Sequence, residues 1–540
     1  VRAVALLALT ACLCLALPGS ALAAPGGNGG KGGKGAKTAF RWRGVIQGAY
    51  GPIFSHPQRV ALLEFMHKHG FNAYINAPKD DPYQRSAWRV PYPADQQAEL
   101  DSEVQLATQL GIQWIPNISP AQPLFSSNST PGGTTQSPPI CYSCPEDLEA
   151  LLAKYQPFAA AGARTFMLST DDATQELTYP QDIATYGQGP YAFGVANADL
   201  FNRVAGALQA RVPGAHLLTV GPEYLGNYDR PFLQGLRSRL APGIDVMWTG
   251  PDIQARQFRA ADADRYASIL GRRTILFENW TANDQTPSFD GIPGRVYLGP
   301  YRRVPSLVGH LKGFFLDASQ EVFGNFLPFT TAAKYMNAPR RYRPRESFLA
   351  ATRELGGPQA ESLRAFAETS YSDTLAPTEE APTFRHLAAS MLDGYRRLSA
   401  LPDPQHPRPR LRAKRAAAAA VLSERAAALD QELRLVIHAR GKLLQVKRLR
   451  GFVGQLKVFF ISARLGARTG LLATALLEAD GPRRRQALRR RLQDSVKRSL
   501  QDPYETYGSR EHYFFLIGNV MDRYVERVQQ IDHSRARHGR

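Results

Sequence analysis

The chain reads as an α/β protein, a (β/α)8 TIM-like barrel followed by an all-α helical-bundle domain. Three observations predict this. Eight short apolar runs rich in β-branched and aromatic residues recur between Gly44 and Ala318, most of them followed by a polar loop and a helical stretch. The runs are nearly continuous in hydrophobicity, as strands covered on both faces must be. After Tyr342 the runs stop and an apolar period of 3.6 takes over.

Taken in order, the runs are Gly44–Gly48, Phe71–Ala77, Ile112–Ser119, Ala163–Thr170, Ala215–Pro222, Ile244–Gly250, Arg273–Asn279 and Gly313–Ala318. Helical patterns over Pro57–His69, Pro93–Leu110, Pro145–Ala161 and Ala196–Val212 lie between them. Eight such units in one array fit a closed barrel. An open doubly wound sheet is the alternative. Beyond them, Arg345–Leu355, Ala360–Thr369, Thr383–Leu398, Ala413–Leu443 and Arg483–Leu500 carry helical periodicity, and the Pro-rich stretch Leu401–Pro409 separates two of these.

Composition agrees. Hydrophobic residues make up 44% and charged residues 21% of 540 positions, which excludes a disordered or collagen-like chain. The net charge of +19 is unevenly placed. Residues 340–540 hold 38 of the 66 Lys and Arg but 21 of the 47 Asp and Glu, a net +17, leaving +2 for the rest. The second part therefore presents a basic surface. Dense Arg at 408–415 and 483–491 gives it either a solvated face or a docking site for something anionic. No fold that reads nucleic-acid sequence is recognisable there, so no specific nucleic-acid partner is expected.

The domain reading is a signal peptide over 1–24, a Gly-rich linker over 25–40, a catalytic barrel over 41–340 and a basic helical domain over 341–540. One Arg, a short apolar run and Ala21-Leu22-Ala23 form the export signal. Val1 in first position is read as a bacterial alternative start. The expectation is an exported bacterial protein, secreted, periplasmic or on the cell surface, with no transmembrane helix after cleavage. Cys12 and Cys14 leave with the signal. Cys141 and Cys144 remain as C-Y-S-C, open to a zinc site, a redox pair or a local disulfide; export favours the disulfide.

In a barrel the working residues sit at the C-terminal ends of the strands. Read there, the sequence offers Gly48 to Gly51, Lys79-Asp80-Asp81, Asp171-Asp172, Glu223-Tyr224, Trp248-Thr249-Gly250, Glu278 to Asp284, and Asp317. Carboxylates, amides, one Lys and aromatics on one rim suit a sugar. Asp171-Asp172 is the sharpest feature. Adjacent carboxylates repel, so one is expected to keep its proton at neutral pH and serve as an acid. Ordinary glycosidases place two carboxylates roughly 5–9.5 Å apart, which neighbouring residues reach only awkwardly; the pair suits the substrate-assisted exception. A metal site or a solvated turn is the alternative for the pair alone. No H-E-x-x-H or G-x-S-x-G competes, and neither metal nor cofactor is expected.

The strings RGVIQGAYG, NAYINAPKDDPYQRSAWR, STDDA, PEYLG, VMWTGP, ENWTANDQ and YLGPYRR, in this order, resemble glycoside hydrolase family 84. These are β-N-acetylglucosaminidases, including protein O-GlcNAcases and enzymes once called hyaluronidases. The resemblance spans about 43–370 and implies the barrel. It implies that Asp171 orients and polarises the 2-acetamido group, and that Asp172 is general acid, then base. Tyr224 would bond near the acetamide and the oxazoline. Gly48, Lys79, Asn279 and Asp284 would hold hydroxyls or the acetamide. Phe277 stands where the family commonly has Trp, and Tyr228 at an aromatic place near the sugar. Asp317 replaces the usual Asn; an ionised carboxylate accepts hydrogen bonds but donates none. Gln47 replaces the usual Glu. The implied function is an exo-β-N-acetylglucosaminidase acting on a GlcNAc-containing glycan or glycoprotein. A glycan-binding protein that lost turnover is the alternative.

Overall fold

The computed structural model describes residues 40–121, 137–284, 295–372, 380–402, 408–500 and 520–537. The expected export signal, the linker up to Lys37-Thr38-Ala39 and most of the Pro-rich stretch lie outside these residues.

Eight parallel strands close into a barrel in sequence order, so the open-sheet alternative is discarded. They are β1 (Trp42–Gln47), β2 (Ala73–Asn76), β3 (Gln113–Ile118), β4 (Thr165–Ser169), β5 (His216–Val220), β6 (Asp245–Trp248), β7 (Ile275–Glu278) and β8 (Gly313–Asp317). Closure is made by β1 on β8, with Ile46 opposite Asp317. The strands are buried on both faces because side chains alternate between two cores. Ile46, Ile75, Ile115, Met167, Leu218, Met247, Ile275 and Phe315 fill the interior. Val45, Tyr74, Trp114, Phe166, Leu217, Val246, Leu276 and Phe314 face the surrounding helices. This double burial explains why the runs read as continuous apolar segments rather than as alternation.

The helices around the barrel are α1 (His56–His69), α2 (Ala94–Gln109), α3 (Pro145–Ala161), α4 (Pro180–Tyr186), α5 (Pro190–Arg211), α6 (Pro231–Arg239), α7 (Ala260–Leu270) and α8 (Phe326–Asn337). Then follow α9 (Pro344–Gly356), α10 (Ala360–Glu368), α11 (Pro382–Ser399), α12 (Pro409–Leu443), α13 (Arg450–Gln455), α14 (Lys457–Glu478), α15 (Pro482–Leu500) and α16 (Val520–Arg537). Their core gathers Phe348, Phe366, Leu433, Phe452 and Phe460, and continues into the barrel segment through Val296, Leu298 and Leu327. Phe366 and Phe460 stack with centroids 3.6 Å apart. Arg364 makes a buried bidentate pair with Glu432, at 2.9 and 2.6 Å.

Two differences from the sequence reading have physical causes. Helices α5, α9, α11, α12 and α15 begin at a proline that the periodicity had left outside. Proline at the first helical position has its φ already set and lacks only an N–H that would go unbonded there. Helix α14 has no counterpart among the helical patterns of the sequence. It packs on α12, α15 and α16, and Phe460, Ala463, Ala467, Gly470, Ala473 and Leu477 are buried along it. Burial on several sides blurs the single apolar stripe that signals a helix.

Cys141 and Cys144 are joined in a disulfide that caps the start of α3. The buried Asp182 carboxylate accepts from the backbone N–H groups of Tyr142 (2.9 Å) and Ser143 (2.7 Å) in the same turn. No helix among the described residues is long and apolar enough to cross a membrane.

Candidate active site

The site is assembled at the C-terminal ends of the strands, around Asp171 and Asp172 just past β4. Asp172 takes a left-handed backbone, φ 51°, which Asp tolerates better than most residues. The Lys79 ammonium, carried on the segment after β2, pairs with Asp171 Oδ2 and lies 3.1 Å from Asp172 Oδ2. The Tyr50 hydroxyl donates to Asp172 Oδ2 at 2.9 Å, and the Tyr224 hydroxyl to Asp172 Oδ1 at 2.9 Å. Arg85 donates to the Tyr50 hydroxyl at 3.0 Å and approaches the Asp172 carbonyl at 3.4 Å. Both oxygens of Asp172 are thus fixed. Asp171 Oδ1, by contrast, is buried and has no hydrogen-bond partner among the described residues.

This geometry corrects the protonation expectation. At Asp172 the repulsion is offset by the Lys79 ammonium, which stands between the carboxylates, rather than by a retained proton. Burial alone pushes the Asp172 carboxyl up. The Lys79 charge and the bonds from Tyr224, Lys79 and Tyr50 outweigh it and hold the carboxyl down at about 2. Burial would likewise favour a neutral Lys79, but Asp171 and Asp172 keep its ammonium charged.

On the opposite wall, Gly48 N–H donates to Asp317 Oδ1 at 2.8 Å, and Tyr50 N–H to Asp284 Oδ2 at 2.8 Å. A Cβ on Gly48 would lie 2.9 Å from Asp317 Oδ1 and 3.0 Å from the Phe277 ring, so only glycine lets these two side chains close on the backbone here. Burial raises Asp317 well above the ordinary carboxylate range, with the Asp284 charge adding to it. Burial raises Asp284 as well.

The expected residues do not all converge. Gly48, Lys79, Asp171 and Phe277 line one cavity in the barrel mouth. Tyr224 reaches it through Asp172. Asn279 turns its amide to the Ile253 carbonyl, 3.0 Å away. Tyr228 stands 63% exposed on the rim. Tyr50 and Arg85 were missed as site residues, although Tyr50 lay in the strand-end segment and Arg85 six residues after Lys79. Asn117, Ser119, Ser169 and Gln84 complete the polar cavity lining. They sit within apolar runs or a loop, where nothing in the sequence distinguishes a lining side chain from a buried one.

The beta-N-acetylglucosaminidase family model matches residues 43–368. Protein O-GlcNAcase of Rattus norvegicus is 27% identical over 309 residues, which are 55% of this chain and 30% of that protein. The Mus musculus protein is 26% identical over the same extent. The chain therefore spans less than a third of the length of these curated relatives. Among solved structures, a mutant O-GlcNAc hydrolase of Thermobaculum terrenum superposes with a TM-score of 0.72, covering 93% of this chain and 97% of that one at 22% identity. At that identity the likeness establishes a shared fold.

Proposed function

Since the chain belongs to the β-N-acetylglucosaminidase family, glycoside hydrolase family 84, we propose that it removes terminal β-linked GlcNAc from glycoconjugates by a retaining, substrate-assisted mechanism. The observation that carries this reading is the inequality of the two aspartates. Asp171 keeps a buried oxygen without a partner among the described residues, while both oxygens of Asp172 are held by phenol hydroxyls.

In the proposed reaction the acetamide N–H donates to Asp171 Oδ1, which raises the nucleophilicity of the acetamide oxygen. That oxygen attacks the anomeric carbon as the glycosidic C–O bond breaks, and Asp172 gives its proton to the leaving oxygen. An oxazolinium ion results, its N–H still bonded to the Asp171 carboxylate. Asp172, now a carboxylate, takes a proton from water as the water oxygen attacks the anomeric carbon and reopens the ring. Two inversions give net retention. The free-state geometry favours Asp172 as the base, so substrate must loosen Lys79 from it before it can carry a proton. Lys79, Gly48, Asp284 and Asp317 then serve the sugar hydroxyls, and Phe277 the apolar side of the pocket.

The apolar leader and its A-x-A sequence support export. The Arg-rich stretches support docking of the helical region on an anionic surface. Loss of salt-dependent heparin retention in Arg490→Glu/Arg491→Glu would bear that out.

The test is hydrolysis of 4-methylumbelliferyl β-N-acetylglucosaminide by the wild type and by Asp172→Asn. Turnover lost in the variant, through the step in which Asp172 acts as base on water, supports the assignment. A folded wild type that binds GlcNAc without turnover makes the chain a glycan-binding protein instead.

A further inference from the structure

Asp317 ends β8 at 4% exposure. Its Oδ1 receives the Gly48 N–H at 2.8 Å, and two residues along the same stretch Tyr50 N–H bonds Asp284. Two carboxylates thus hang from alternate amides of one backbone segment. The ammonium of this rim is engaged elsewhere, on Asp171 and Asp172. The strand end is pinned by the Thr281 hydroxyl, 2.6 Å from the Asp317 carbonyl, so the side chain has little freedom to seek another partner. Asp317 Oδ2 makes no hydrogen bond among the described residues.

We propose that Asp317 is a neutral carboxylic acid that donates a hydrogen bond from Oδ2 to a hydroxyl of the bound sugar, and so determines specificity at this wall of the site. The proposal rests on the glycosidase reading. A neutral acid beside a carboxylate gives one donor and one acceptor, the pair a hydroxyl needs because it does both. Two ionised carboxylates would offer acceptors only and repel each other in a buried site.

The influences on Asp317 are divided, and those that favour the neutral form prevail. Burial is the largest influence and favours the neutral form. The Asp284 charge, from the segment after β7, and Asp171, from the end of β4, act the same way. The Gly48 amide and Lys79 oppose without prevailing.

The experiment measures KM and kcat separately against pH for 4-methylumbelliferyl β-N-acetylglucosaminide. In the wild type, KM should climb on the alkaline side, by up to about tenfold per pH unit once Asp317 ionises. Asp317→Asn, an uncharged donor of the same shape, should abolish that climb. Asp284→Asn removes a neighbouring charge and should bring the climb to lower pH. A flat wild-type KM, or a climb that survives in Asp317→Asn, overturns the proposal. The proton is also read without turnover. An infrared difference spectrum, wild type minus Asp317→Asn at neutral pH, should contain a protonated carboxyl band. Absence of the band refutes the neutral acid, whereas its presence in a chain without hydrolysis refutes the glycosidase reading alone.

Discussion

The Tyr50 hydroxyl lies 2.9 Å from Asp172 Oδ2. It receives a bond from Arg85 at 3.0 Å, so its own proton is directed at the carboxylate. Tyr224 does the same to the other oxygen. Bonds of this kind stabilise the charged form and lower the pKa. Tyr50→Phe should therefore raise the Asp172 pKa. A hydrogen bond to a charged group contributes about 1.5–3 kcal/mol, or roughly one to two pH units. Activity on a substrate that needs acid assistance should persist to correspondingly higher pH, read from the kcat/KM profile. Tyr224→Phe should move the same limb in the same direction. A profile left in place would separate these hydroxyls from the acid.

Asp171 and Asp172 should separate by leaving group. A readily leaving aglycone needs little protonation, whereas an alkyl aglycone needs much. General acid–base help contributes about 10²–10⁴-fold. Asp172→Asn should lose most of that on an alkyl glycoside and less, in the bond-breaking step, on a methylumbelliferyl glycoside. Asp171→Asn should lose heavily on both, because acetamide attack precedes either departure. The comparison of kcat/KM across the two aglycones checks it, and equal leaving-group dependence in both variants would sink the division of roles.

Gly48 tests the opposite wall. A methyl there would sit 2.9 Å from Asp317 Oδ1 and 3.0 Å from Phe277, closer than ordinary contacts. Gly48→Ala should push both side chains off the sugar. Overpacking of this size costs about 1–3 kcal/mol, so KM should rise about tenfold while the fold, judged by circular dichroism, persists. An unchanged KM would mean the wall does not touch substrate.

The barrel was legible because its signal is redundant. Any of the eight runs could be misjudged without losing the count. Lys79 and Asp171 were legible because strand ends mark the working rim and Gly48 follows directly from the first run, whereas Phe277 was implied only by the family resemblance. The protonation of Asp172 was not. Sequence places it beside Asp171, but Lys79 is 92 positions before Asp171, and only folding puts the ammonium between the carboxylates. Arg85 was hidden for the same reason, since its partner Tyr50 belongs to another strand end. Helix α14 was hidden because much of its buried face is built of small residues, Ser462, Ala463, Gly466, Ala467, Gly470 and Ala473, which mark an apolar stripe only weakly.

The opposite end of the barrel should govern stability alone. Asp245 begins β6 at 1% exposure. It accepts from Trp42 Nε1 at 3.0 Å and contacts His216 Nε2 at 2.9 Å, and Lys312 pairs with its other oxygen. Trp42, His216 and Lys312 lie at or beside the starts of β1, β5 and β8, so one carboxylate ties four strands. Burial pushes this carboxyl up, but the His216 and Lys312 bonds, the Lys312 charge and the Trp42 bond overcome it and hold it well below the usual range. The folded pKa is thus below the unfolded value. The stabilisation is present above about pH 4 and is lost as pH falls through the folded pKa. Asp245→Asn should cost about 3 kcal/mol at neutral pH, the scale of breaking a buried ion pair. Thermal melts should show the variant a few degrees lower at neutral pH, with the two curves converging in acid. Hydrolysis at a temperature where both are folded should stay equal, because nothing at this end touches the pocket. Curves that run parallel into acid would mean that Asp245 contributes shape rather than charge.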